Sequence, residues 1–91
     1  MEDWKIQISK SVLKDLDLVE KPYLEKIRKM INGLSYNPFP ENAKKLKGKD
    51  ELILRIRAGI YRIVYLVDLK KRLIVLLGIS HRKSPLRIYR D

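Results

Sequence analysis

Arg55 and Arg57 precede, and Arg62 follows, the dipeptide Ala58-Gly59 in a segment otherwise built from strand-forming residues. A two-residue connection containing glycine reads as a tight hairpin turn, and a tight turn fixes the register of the strands it joins. Counted from that turn, Arg57 faces Ile60, Ile56 faces Tyr61, Arg55 faces Arg62, Leu54 faces Ile63, Ile53 faces Val64 and Leu52 faces Tyr65. Paired residues share a face, so Leu52, Leu54, Ile56, Tyr61, Ile63 and Tyr65 form an apolar side, and Ile53, Arg55, Arg57, Arg62 and Val64 the other. Like charges directly opposite one another cost a hairpin up to about 1 kcal/mol. A phosphate between Arg55 and Arg62 would turn that cost into charge-assisted, bidentate contacts, for which guanidinium is better shaped than ammonium. The alternative that asks nothing of function splays the arginines into solvent or bridges them to an acid, and Glu51 is the one acidic residue nearby.

Further cations lie on either side of the hairpin. Lys44, Lys45, Lys47 and Lys49 surround Gly48 in what reads as a basic loop, and His81, Arg82 and Lys83 close the last strand. Lys45, Lys47, Lys49, Lys83 and Arg57 are candidate phosphate contacts. Strict alternation puts His81 and Arg82 on opposite faces, but the Asp68 to Lys71 loop does not fix which one joins the arginines. Tyr89 belongs to a tail able to fold back over the sheet, where it either anchors the domain edge or serves the site. The whole chain carries a formal net charge of +10 over 91 residues, a self-repulsion that an acidic partner offsets. Nucleic acid is the first such partner, an acidic protein the second and an anionic membrane surface the third.

No cysteine is present and His81 is the single histidine, which removes thiolate chemistry and leaves a poor ligand set for zinc. No cofactor or metal is called for. The first residues lack the pattern of a signal peptide, and no apolar run approaches the roughly 18 residues that span a bilayer. A cytoplasmic protein is therefore expected. The high charged content, 35%, with scarce asparagine and glutamine, leans towards a thermophilic source.

The elements that must position these cations can be read by period. Trp4, Ile6 and Ile8 alternate with polar residues as a strand does, whereas Val12, Leu13, Leu16 and Val19 fit a helix capped by Ser9 or Ser11. Pro22 suits the first turn of a second helix, whose apolar stripe is Leu24, Ile27, Ile31 and Leu34 and which the Pro38 to Pro40 segment stops. Three strands follow: Leu52 to Arg57, Ile60 to Asp68, and Leu73 to about Ser80. With 45% hydrophobic residues the chain suffices for one core. The expectation is a single α+β domain over residues 1–91, with an N-terminal strand, a two-helix hairpin and a three-stranded antiparallel meander, the helices covering one sheet face.

In this order of elements, in Lys45-Leu46-Lys47-Gly48, in the hairpin from Leu54 to Tyr65, and in Ser80-His81-Arg82 with Tyr89 behind it, the chain resembles the RelE and ParE superfamily of bacterial and archaeal toxins. It looks most like the RelE-type messenger-RNA endonucleases. The resemblance implies a RelE-like fold and a type II toxin that enters the ribosomal A site and cuts the message, held inactive by an acidic, RelB-like antitoxin. The implied chemistry is metal-independent attack of a ribose 2′-hydroxyl on the adjacent phosphate. Arg55 and Arg62 would then stabilise the transition state, Arg82 would do so or serve the leaving group, and Tyr89 would stack on a base or help take the proton.

Two positions depart from the family pattern. Ile53 stands where the best-studied member has a lysine, which removes one candidate base, and the spacing from Arg82 to Tyr89 is one residue longer. His81, with a reference pKa near 6.5, is the candidate to compensate. The alternatives are a ParE-like protein that blocks DNA gyrase without catalysis, or a nucleic-acid-binding domain that has kept the fold and lost the activity.

Overall fold

The computed structural model describes residues 4–48 and 51–81. Seven elements follow in order: β1 (Lys5–Ile8), α1 (Lys10–Asp17), α2 (Lys21–Leu34), β2 (Lys44–Lys47), β3 (Glu51–Ala58), β4 (Tyr61–Asp68) and β5 (Leu73–His81). The strands form one sheet in the order β1-β5-β4-β3-β2, with β1 parallel to β5 and the remaining neighbours antiparallel. The fold is the expected α+β arrangement with one strand more than expected. The lysine segment after α2 is an edge strand rather than a loop, and lysines on an edge discourage pairing with a further strand.

Local chemistry explains both helices. Ser9 caps α1, its Oγ accepting the Val12 N–H at 3.3 Å, and Pro22 lies in the first turn of α2, where a missing N–H leaves nothing unsatisfied. Val12 of α1 and Ile27, Ile31 and Leu34 of α2 pack on Leu54, Ile56, Tyr61, Ile63, Tyr65, Val67, Ile74, Leu76 and Ile79 of the sheet, whereas Val19, expected on the first helix, joins this core from the connection between the helices and Leu13 is exposed. The apolar side of the hairpin is thus the one inferred by alternation.

The pairing within that hairpin is not. Gly59 and Ile60 form the turn, Ala58 pairs with Tyr61, Arg57 with Arg62, and Arg55 with Val64. Gly59 has φ +64°, the left-handed conformation that a II′ hairpin places at its first turn position. A turn on Ala58-Gly59 would put alanine there, at a steric cost glycine does not have. The slide amounts to two residues, so every side chain keeps its face and only its partner changes.

Three polar contacts tie the layers together. The Tyr61 hydroxyl accepts the Glu20 N–H at 3.0 Å, the buried Tyr65 hydroxyl donates to the Pro38 carbonyl at 2.7 Å, and Asp15 Oδ2 accepts the Ile79 N–H at 3.1 Å. The last lies just past a bulge in β5, where Val64 pairs with Gly78 but Tyr65 with Leu76, leaving Leu77 as the extra residue. β1 ends opposite Leu76, and α1 supplies the acceptor for the strand beyond it. Among the described residues, no helix is long and apolar enough to cross a membrane.

Gly59→Ala should lower stability by roughly 1–2 kcal/mol in urea unfolding, because the new Cβ requires the left-handed φ and would lie 2.8 Å from the Tyr23 ring. Tyr65→Phe leaves the Pro38 carbonyl without its donor and should cost about 1–3 kcal/mol at neutral pH. Burial also pushes the Tyr65 phenol well above its ordinary value. Folded protein therefore keeps a proton that unfolded chain loses above about pH 10, so stability falls as pH rises past that point. In Tyr65→Phe that part of the alkaline slope should vanish, as followed by circular dichroism.

Candidate nucleic-acid interface

The sheet face turned away from the helices is organised in cross-strand rows. One row runs Arg57, Arg62, Ser80; the next runs Lys44, Arg55, Val64, Gly78; a third runs Lys47, Ile53, Leu66, Val75. Five cations from β2, β3 and β4 thus share a face, gathered towards the β2 edge and the hairpin tip. Ile53 and Val64 are buried at its centre, beside the half-buried Arg55 and Arg62. The hydrocarbon stems of arginine can cover such neighbours while their guanidinium groups reach solvent.

Arg57 and Arg62, and not Arg55 and Arg62, form the directly opposed pair. Arg55 is the diagonal neighbour of Arg62, a relation that spans about 7–8 Å in an antiparallel ladder. Arg55 and Arg57 are therefore both neighbours of Arg62 on this face. Two donors opposed and a third one diagonal suit a tetrahedral phosphate with several oxygens to share.

The other candidates divide. Lys47 lies on the arginine face, whereas Lys45 pairs with Leu54 and turns to the helix side, its place taken by Lys44 opposite Arg55. A strand alternates where a loop need not, and β2 also shifts register between Lys45 and Lys47. The β5 bulge settles His81 in the same way. By reversing the alternation after Leu76, it directs Ile79 and His81 to the helix side and Ser80 to the arginine side. His81 there makes an edge contact with Tyr61 at 5.6 Å between centroids, and Tyr61 makes another with Tyr23 at 5.5 Å. His81 is thus separated by the sheet from the arginines that it was expected to assist. Lys49, Arg82, Lys83 and Tyr89 fall outside the described residues.

Sequence reasoning missed Lys44 and Ser80. Alternation within Lys44-Lys45-Leu46-Lys47 was the available signal for the first, once the segment is taken as a strand. Ser80 had none, since its pairing depends on the bulge. Among the described residues, no group of three His, Cys, Asp or Glu side chains is placed to hold a metal ion.

The model of one protein family, the ParE toxin of type II toxin-antitoxin systems, matches residues 2–85. The Methanocaldococcus jannaschii protein bearing the name toxin RelE1 is 37% identical over 84 residues, covering 89% of this chain and 92% of that protein. Among solved structures, the archaeal RelE-RelB complex from Pyrococcus horikoshii OT3 is similar with a TM-score of 0.82 and 30% identity, over 88% of this chain and 96% of the other. The isolated Escherichia coli RelE toxin shares the fold with a TM-score of 0.69 at 19% identity, over 94% of this chain and 90% of that one.

If Arg57 and Arg62 repel across the ladder, Arg57→Gln should stabilise the protein by up to about 1 kcal/mol at low salt. The gain should shrink as salt is added, because screening weakens the repulsion in the parent. Urea unfolding of both proteins at low and high ionic strength measures it.

Proposed function

Because this chain belongs to the ParE toxin family of type II toxin-antitoxin systems, we propose that it is the toxin of such a pair and acts as an endoribonuclease on messenger RNA in the ribosomal A site. The observation that carries this reading is the grouping of Arg55 and Arg57 beside Arg62, on the sheet face the helices leave open. Like charges opposed across a ladder repel, and a phosphate placed between them would turn that repulsion into charge-assisted contacts.

In the proposed reaction a ribose 2′-oxygen attacks the adjacent phosphorus and the bond to the 5′-oxygen breaks, leaving a 2′,3′-cyclic phosphate and a 5′-hydroxyl. The 2′-hydroxyl loses a proton, the departing oxygen gains one, and negative charge accumulates on the non-bridging oxygens between these events. Preorganised cations aimed at that charge lower the barrier without a metal ion. Arg62 is assigned the central position, with Arg55 and Arg57 beside it; Lys44 and Lys47 hold neighbouring phosphates of the strand. Arg82 and Tyr89 carry the leaving-group and proton-transfer roles by resemblance to RelE-type enzymes, and Lys49 and Lys83 extend the backbone contacts. His81, on the opposite face, is left out of this assignment, and so is Lys45.

A cognate acidic antitoxin is the proposed inhibitor, in keeping with the RelE-RelB complexes of similar structures from Pyrococcus horikoshii and Methanococcus jannaschii. The family match itself supports a second reading, in which the protein blocks DNA gyrase by binding and catalyses nothing. Addition of the purified protein to a translating system, with primer extension to map message ends, separates the two. New ends should form with wild-type protein and fall by about 10²–10³ in rate with Arg62→Ala, the loss typical of removing one charge-stabilising donor. Intact message together with inhibited gyrase supercoiling would select the second reading.

A further inference from the structure

Ser80 stands directly opposite Arg62 on the β4–β5 ladder, at the end of the row that begins with Arg57. Its Oγ is buried and has no hydrogen-bond partner among the described residues. A serine hydroxyl can donate one hydrogen bond and accept two, and a buried one that makes none costs folding free energy. Packing does not call for it. The rest of β5 up to this point is aliphatic or glycine, Leu73 to Ile79, and an alanine or valine would continue that ladder without an unmet donor.

Two features of the fold nevertheless set this hydroxyl where it is. The bulge at Leu77 reverses the alternation of β5 so that Ser80 joins the arginine face, and Asp15 holds the strand beyond the bulge through the Ile79 N–H. Bulges commonly re-aim a side chain beside a functional site. We propose that Ser80 is a phosphate ligand, its hydroxyl turning about χ1 out of the buried position it has in the free protein to donate to a non-bridging oxygen of an RNA phosphate held by Arg57 and Arg62. This rests on the reading of the arginine face as the RNA site. A neutral donor is well suited to the end of that row: it adds a hydrogen bond to the anion without adding repulsion to two cations already opposed.

The test compares the full-length wild type with Ser80→Ala and Ser80→Thr. The probe is a short single-stranded RNA made uncleavable by 2′-O-methyl groups, with binding followed by fluorescence anisotropy and folding by thermal melts. Ser80→Ala should bind the probe about tenfold more weakly, the loss of one hydrogen bond to a charged group. It should also melt at the same temperature as wild type or higher, since the unmet hydroxyl is gone. Ser80→Thr, which restores the hydroxyl, should recover most of the affinity. Equal binding by Ser80→Ala and wild type overturns the proposal. So does loss of affinity in both variants alike, loss accompanied by a lower melting temperature, or absence of probe binding by wild type. Message left whole by wild type would instead remove the cleavage reading, while the affinity ratio would still decide for or against Ser80.

Discussion

Gly59 has a left-handed backbone at the first position of a two-residue turn, and that conformation sets the identity of every cross-strand pair in the middle of the sheet. On the helix side it brings Ile56 to Ile63 and Leu54 to Tyr65, the pairs on which Ile27, Ile31 and Leu34 close the core. On the other side it brings Arg57 to Arg62 and makes Arg55 their diagonal neighbour. One torsion angle therefore serves both faces. The ring of Tyr23 packed against Gly59 links the turn to α2 as well, since no side chain fits between them.

The remaining architecture restrains the strands that the turn does not reach. Tyr61, Tyr65 and Asp15 each spend a polar group on a distant backbone atom, joining β4 to the start of α2, β4 to the loop after α2, and α1 to β5. Each contact also answers a backbone donor or acceptor that the ladders leave over, which is how a small core accommodates chain crossing its margins. The bulge in β5 belongs with them. It interrupts the ladder at Leu77, and the acceptor on α1 steadies the two residues that follow.

Features governed by short-range periodicity were legible in the sequence. The Ser9 cap, Pro22 in the first turn of α2, the apolar stripe of α2, Val12 and Leu16 of α1, and the two faces of the β3–β4 hairpin all follow from residues close together in the chain. The face of each arginine survived an error in the turn because a two-residue slide preserves alternation, while its partner did not survive it. β2 escaped notice because an edge strand of lysines exposed on both sides has no apolar alternation to display. The β5 bulge was hidden for the converse reason. The run from Leu73 to Leu77 is aliphatic on both faces, so a change of phase leaves no mark in residue type. Which of Ser80 and His81 joined the arginines was thus a tertiary outcome.

β5 sits between β1 and β4, although β1 is the first strand of the chain and β5 the last described. The parallel partner of Lys5 is Leu73, and the acceptor for Ile79 lies 64 residues before it on α1. Until β5 arrives, β1 has no neighbour, α1 has no strand to pack on, and the arginine hairpin is open along one edge. Closing so long a loop delays the reward of its contacts and makes the order of assembly non-local. During synthesis, then, an emerging chain holds its helices and at most the β2–β4 part of the sheet, and β5 joins that part to β1 and α1 in a single step.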